Sequence, residues 1–176
     1  MSNFVLFPPG VAISALLSIL IGRSVAQKLA CGRAVGYALV FWVGVILSAT
    51  MTPSIGGIDD PDRTMAWCDL SRIGPPPIDQ LGTLNDVSLN VLLFVPLGAV
   101  VSAIARHRWK ALLWSAALPF LIEGVQFFEA PFGRECQSAD VFDNLTGLLA
   151  GYVVGTATIL GWRALSRLFD AVRHKQ

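Results

Sequence analysis

The sequence has few charged residues and almost no histidine. Of its 176 residues, 13 are lysine or arginine, 12 are aspartate or glutamate and two are histidine. A soluble domain carries about 25% charged residues, whereas this chain has 14%, together with 54% hydrophobic residues. The composition therefore favours an integral membrane protein over a soluble domain. The net charge is only +1, which says little by itself, and we expect no nucleic-acid partner.

Motifs for metal binding and nucleophilic catalysis are also lacking. The three cysteines do not have the spacing of a zinc site, and His107 and His174 both lie on one predicted side of the membrane. No serine or cysteine nucleophile motif is present. We therefore expect no metal and no cofactor.

Five apolar stretches indicate the architecture, at about residues 8–30, 34–52, 86–105, 111–129 and 140–165. Each approaches the ~20 residues that a helix needs to cross the hydrocarbon layer. The sequence thus predicts an all-α integral membrane protein with five transmembrane helices, forming a single membrane domain over residues 1–176. The first stretch contains Arg23, and we interpret it as a retained span rather than a cleaved signal peptide.

The charges predict how the helices cross the membrane. Ten of the 13 basic residues fall in the segments between spans one and two, between spans three and four, and after span five. By the positive-inside rule, the N-terminus is outside and the C-terminus is cytoplasmic. The chain is expected to cross the membrane several times.

A polar loop at about residues 53–85 joins spans two and three on the predicted outer side. It contains Cys68, and Cys136 lies in the second outer segment. Disulfides persist on the oxidising side of the membrane. The sequence leaves open whether these two cysteines form a disulfide, which would hold the loop over the following segment, or two free thiols.

Span four contains two polar residues on one helical face. Glu123 and Gln126 are three residues apart, and Glu123 lies about 9 Å into the predicted outer leaflet at 1.5 Å per residue. An ionisable group at this depth is a candidate functional residue. The alternative is a structural glutamate that joins helices by hydrogen bonds.

Span five has a stripe along one helical face, formed by Asp140, Asn144, Gly147, Gly151 and Gly155. Glycines at this spacing allow close packing of membrane helices, so we assign them a structural role. Asp140 and Asn144 are either capping and helix-joining residues or ligand-binding residues.

The pattern D-V-x-x-N begins at Asp86 and again at Asp140. Both copies open a helix that runs inward, so they predict two helix N-termini at one depth. Such N-termini attract phosphate and carboxylate groups, and Arg134 would add a bidentate donor for the same anions. The alternative for Arg134 is an ion pair with Glu129 or Glu135.

These residues resemble the VanZ-like membrane protein family. The resemblance covers about residues 86–155 and consists of Asn90-x-x-x-Phe94-x-Pro96-Leu97-Gly98, then Glu123-x-x-Gln126, then Arg134, then Asp140-Val141-x-x-Asn144-x-x-Gly147-x-x-x-Gly151. Gln137 departs from the pattern, because relatives often have an acidic residue there. We assign ligand binding to Asn90, Glu123, Gln126, Arg134, Asp140 and Asn144. Structural roles go to Asp86 and Gly98 besides the glycines of span five.

The resemblance implies a role at the outer face of a bacterial membrane, since the namesake is associated with low-level resistance to teicoplanin, a lipid-tailed glycopeptide. Two functions stay open. In the first, which we favour, an outward polar pocket binds or modulates an amphiphilic ligand, such as a lipid-linked wall precursor or the lipoglycopeptide, amid membrane lipids. In the second, the protein is an enzyme acting on a lipid headgroup or precursor, with Glu123 as the general acid or base. The sequence does not determine the oligomeric state.

Overall fold

Five α-helices form where the five apolar stretches lie. The computed structural model describes residues 7–51, 68–128 and 136–173. The helices are α1 (Phe7–Leu29), α2 (Arg33–Met51), α3 (Asp86–Ser102), α4 (Arg108–Phe128) and α5 (Ser138–Arg173). Two short strands, β1 (Cys68–Asp69) and β2 (Cys136–Gln137), and one 3-10 turn (Ile78–Gly82) complete the described elements. The all-α, five-helix prediction is confirmed.

The helices differ in their capacity to cross a membrane. Helices α1, α2, α4 and α5 are long and apolar enough to do so, whereas α3 has only 17 residues, or about 26 Å at 1.5 Å per residue. Helix α3 begins at Asp86 as predicted and ends at Ser102, a few residues before the predicted end. Helix α5 continues to Arg173, about eight residues beyond the predicted span.

Helix α3 begins with a capping box. The side chain of Asn85 accepts a hydrogen bond from the backbone N–H of Ser88 at 2.9 Å, and the Ser88 hydroxyl accepts one from the Asn85 N–H at 3.1 Å. This reciprocal pair satisfies two amides at the helix start. Asp86 lies exposed in the first turn, where its negative charge interacts favourably with the positive end of the helix dipole.

Helices α3 and α5 run parallel and pack closely. A Cβ atom added at Gly147 or Gly151 would overlap the carbonyl oxygens of Val91 and Val95 on α3, and one added at Gly98 would overlap the carbonyl oxygen of Leu148. Only residues without a side chain allow backbones to approach this closely. The glycine spacing along α5 thus lies along its contact with α3.

Helix α3 also lies at the centre of the hydrophobic core. Its Phe94, Leu97 and Val101 are fully buried, and they belong to a cluster that includes Ile46 of α2 and Ile122 of α4. Contacts with α2, α4 and α5 surround this helix.

Several polar side chains are buried while many large apolar side chains are exposed, unlike in a soluble protein. Glu123, Gln126, Asp143 and Asn144 are at most 5% exposed, whereas exposed large apolar side chains occur along all five helices. Monomeric soluble proteins rarely expose apolar surface of this extent. This distribution is that of a protein surrounded by lipid.

The helix directions give the bundle two ends with different chemistry. At the disulfide end, α2 and α4 terminate, α3 and α5 begin, and β1 pairs with β2 in parallel, Cys68 opposite Cys136. At the basic end, the α1–α2 and α3–α4 connections carry the predicted clusters of lysine and arginine.

Candidate functional site

A group of buried and half-buried polar side chains, here called the polar cluster, lies at the disulfide end. Within the described residues it consists of Arg72, Asn90, Glu123, Gln126, Asp140, Asp143 and Asn144. Three of these side chains are carboxyl groups and one is a guanidinium. The described part of the cluster therefore has more acceptors than donors.

A disulfide attaches the segment between α2 and α3 to the start of α5. Cys68 and Cys136 are bonded, with their Cα atoms 4.5 Å apart. The Ser138 hydroxyl donates hydrogen bonds to the backbone oxygens of Asp69, at 3.2 Å, and Arg72, at 2.8 Å. These contacts place Arg72 beside the first turns of α5, although it is more than 60 residues away in sequence.

An ion pair in the described cluster joins Arg72 to Asp143. The guanidinium Nη2 lies 2.5 Å from Oδ2 of Asp143, whose side chain is completely buried. The same nitrogen donates to the backbone oxygen of Ala139 at 3.3 Å. An ionised carboxylate at this depth needs a paired charge to be stable. Arg72 provides that charge.

Helix α4 contributes two buried polar groups to the cluster. The carboxylate Oε2 of Glu123 accepts a hydrogen bond from the backbone N–H of Gln137 at 2.7 Å. The amide Nε2 of Gln126 donates to the backbone oxygen of Thr50, at the end of α2, at 3.1 Å. As their spacing predicts, the two side chains share one face, and they connect α4 to β2 and to α2.

Asp140 and Asn90 connect the two parallel helices by a side-chain hydrogen bond. Asn90 is the last residue of the first D-V-x-x-N copy and Asp140 is the first residue of the second. Both side chains are half-buried. The repeated motif thus places an amide of α3 against a carboxylate of α5.

Three buried oxygens of the cluster have no hydrogen-bond partner among the described residues. They are Oε1 of Gln126, Oδ1 of Asp143 and Oδ1 of Asn144. Buried polar atoms are nearly always hydrogen-bonded, so each unsatisfied acceptor requires an explanation. All three would accept a hydrogen bond from a donor-bearing molecule.

Five of the six predicted ligand-binding residues lie buried or half-buried near the disulfide end, and the structure shows a contact between two of them, Asn90 and Asp140; the five are Asn90, Glu123, Gln126, Asp140 and Asn144. Arg134 lies outside the described residues. Sequence reasoning did not assign Arg72 and Asp143 to the site. The sequence contained a signal for Arg72. This residue is four positions after Cys68, so a Cys68–Cys136 disulfide brings it close to the start of α5.

The fold and the cluster define a class of protein, a helical membrane protein with a buried polar site at one end. The model of the VanZ/LLP1 family matches residues 37–160, more than half of the chain. The protein therefore belongs to the VanZ/LLP1 family. No match was found among curated proteins or among solved structures.

Proposed function

We propose that the polar cluster binds the polar headgroup of an amphiphilic cell-envelope ligand at the outer face of a bacterial cytoplasmic membrane. The orientation follows from the charges, because the positive-inside rule assigns the basic end to the cytoplasm. The disulfide supports the same orientation, since such bonds persist in oxidising compartments. The N-terminus is then outside and the C-terminus cytoplasmic, with all five helices spanning.

The observation that carries the proposal is a set of three buried oxygens, on Gln126, Asp143 and Asn144, that have no hydrogen-bond partner among the described residues. Together with the carboxylates of Glu123 and Asp140, they form a site that accepts hydrogen bonds. Ligands of matching chemistry carry hydroxyl, amide or ammonium donors, as sugars and amino-substituted peptides do. Lipid-linked wall precursors and lipoglycopeptides both present such groups.

An amphiphilic ligand also requires an apolar surface next to its headgroup. Phe128 and Val125 lie exposed on α4 near the disulfide end, and Leu89 and Leu92 lie exposed on α3. These side chains are within one or two turns of Gln126 and Asn90, respectively. An acyl chain could follow either helix toward the membrane centre while the headgroup contacts the cluster.

We propose that Arg134 also contacts the ligand, because a guanidinium group binds an anionic group through two hydrogen bonds. Such a contact would complement the acceptors, because envelope precursors combine phosphate with sugar hydroxyls. Membrane lipids, a lipid-linked precursor and a lipoglycopeptide are therefore the proposed partners. Selective protection against teicoplanin is the phenotype that this proposal predicts.

The test measures the inhibitory concentrations of teicoplanin and vancomycin for a susceptible bacterium that expresses the protein or a variant at matched membrane levels. Asn144→Leu removes a buried oxygen that has no partner among the described residues, so we expect binding to be lost, and the matched membrane level checks that the fold persists. Asp79→Asn is the matched control, because Asp79 is exposed near the same end but outside the cluster.

We expect the protein and the Asp79→Asn control to protect selectively against the lipid-tailed drug and Asn144→Leu to lose this protection. Equal protection by all three would contradict the cluster as the binding site. No protection by any of them would contradict the glycopeptide role. Glu123→Gln distinguishes binding from the enzymatic alternative. If Glu123 is a general acid or base, this near-isosteric change should abolish the activity, whereas under the binding proposal it should weaken binding only modestly.

A further inference from the structure

A groove at the basic end is lined by none of the residues of the polar cluster. It separates the end of α1 and the first half of α2 from the first half of α4, with a volume of about 460 Å³. This volume is within the range of about 300–1,000 Å³ found for ligand sites. The side chains that matter for its chemistry are Lys28, Leu39, Val43, His107, Lys110 and Leu118. We call it the basic-end groove.

The mouth of the basic-end groove is cationic. Lys28 is in the last turn of α1, and Lys110 is in the first turn of α4. Both lysines are exposed, and no acidic side chain is among the residues that line the groove. Within the described ranges, no carboxylate is paired with either ammonium group. His107, just before the start of α4, also lines the groove.

The interior of the groove is apolar, and its depth matches one membrane leaflet. Leu39 and Val43 of α2 face Leu118 of α4 across it. Leu118 is eight residues beyond Lys110, a distance of about 12 Å along the helix. Half of the ~30 Å hydrocarbon layer is about 15 Å. The groove thus extends from the headgroup level to near the membrane centre.

An aromatic side chain marks the lipid-facing border. Trp114 lines the groove and is 73% exposed, one turn deeper than Lys110. Tryptophan is enriched near the membrane–water interface, where its ring contacts both headgroups and chains. The groove therefore opens laterally to lipid rather than only to water.

We propose that the basic-end groove binds an anionic phospholipid from the adjacent leaflet. The phosphate of the lipid lies between Lys28 and Lys110, and one acyl chain follows Leu39, Val43 and Leu118. Charge complementarity selects an anionic over a zwitterionic headgroup, and the apolar interior selects a lipid over a soluble anion. Basic pockets between helices bind anionic headgroups by the same physical principle.

The test titrates the full-length protein in neutral detergent with phosphatidylglycerol, phosphatidylcholine or glycerol 3-phosphate and counts bound molecules by native mass spectrometry. The variant is Lys28→Gln/Lys110→Gln. Its matched control is Arg23→Gln/Arg33→Gln, which removes the same charge from exposed residues at the same end that do not line the groove. All four side chains are exposed, so the fold should be retained, and thermal unfolding checks this.

We expect the unaltered protein to bind phosphatidylglycerol at least about tenfold more tightly than phosphatidylcholine. Each groove lysine should contribute about fivefold, the usual effect of one basic residue at a lipid surface. The control pair should change the preference less than about twofold. An equal loss of the preference for phosphatidylglycerol in both double variants would overturn the proposal, because it would show that the lipid responds to the total surface charge and not to the groove.

Binding of glycerol 3-phosphate as tight as that of phosphatidylglycerol would also overturn the proposal, because it would show that the apolar interior plays no part. The measurement in detergent does not depend on which side of the membrane the basic end faces. Its failure would therefore leave the proposed outward position of the polar cluster untouched.

Discussion

Removal of Arg72 should destabilise the disulfide end strongly, because it leaves a buried carboxylate without its paired charge. Asp143 is completely buried, and its Oδ2 lies 2.5 Å from the guanidinium. Unit charges about 4 Å apart interact by about 4 kcal/mol at an effective dielectric constant of about 20. Breaking a buried pair from one side costs about 3–5 kcal/mol. Because the Arg72 side chain is 26% exposed, we expect Arg72→Met to lower the free energy of unfolding by about 3 kcal/mol.

A double-mutant cycle isolates the pair from other effects of the substitution. Asp143→Asn keeps the shape of the side chain but removes its charge, so the loss should be smaller, about 1–2 kcal/mol. In the double variant Arg72→Met no longer leaves an unpaired charge. The coupling free energy between the two sites should therefore be about 2 kcal/mol.

The assay is reversible unfolding of the purified protein in mixed micelles, monitored by tryptophan fluorescence with the disulfide intact. Arg23→Met is the control, since Arg23 is exposed on α1 at the basic end and should change the free energy of unfolding by less than about 0.5 kcal/mol. A coupling free energy below about 0.5 kcal/mol would refute the reasoning. It would mean that the carboxylate of Asp143 is stabilised by other groups or is not charged.

Two further predictions test the helix packing and the basic end. Gly151→Ala should destabilise the protein by about 1–3 kcal/mol, because the added Cβ overlaps the Val95 carbonyl oxygen. In the same unfolding assay the control Gly161→Ala, whose Cβ meets no atom, should be neutral or slightly stabilising. Equal effects of the two substitutions would contradict the close α3–α5 contact. Burial raises the pKa of the Cys31 thiol, which lowers the fraction of thiolate at a given pH. The rate of maleimide labelling of Cys31 should therefore rise with pH, and its midpoint should lie at a higher pH in opened membranes than in detergent-unfolded protein. Coincident pH profiles, or labelling of Cys31 in intact cells by an impermeant reagent, would count against this environment and against a cytoplasmic basic end.

The helices and the glycine face were predictable because their signals are local. An apolar run of about 20 residues is recognised from composition alone, and all five runs become helices in the described structure. Glycines four residues apart predict which face of α5 has no side chains, and α3 packs on that face. The predicted ends of α3 and α5 were less accurate, since capping and the continuation of a helix into water depend on residues outside the apolar run.

The assembly of the polar cluster depends on contacts between distant segments. Sequence spacing put Glu123 with Gln126, and Asp140 with Asn144, because each pair lies on one helix. The partner of Asp143 is Arg72, 71 residues earlier, and no local pattern relates the two. Only the tertiary structure brings them together, through the disulfide and the pairing of β1 with β2.

The sequence by itself thus determined which segments are helices, which of their faces are apolar or small, and which residue types are available for chemistry. The tertiary structure decided which polar groups meet, which oxygens stay without a described partner, and where the basic-end groove lies. The physical reason is that helix formation and amphipathicity depend on neighbours three and four residues apart, whereas burial, ion pairing and cavities depend on the packing of whole helices against one another.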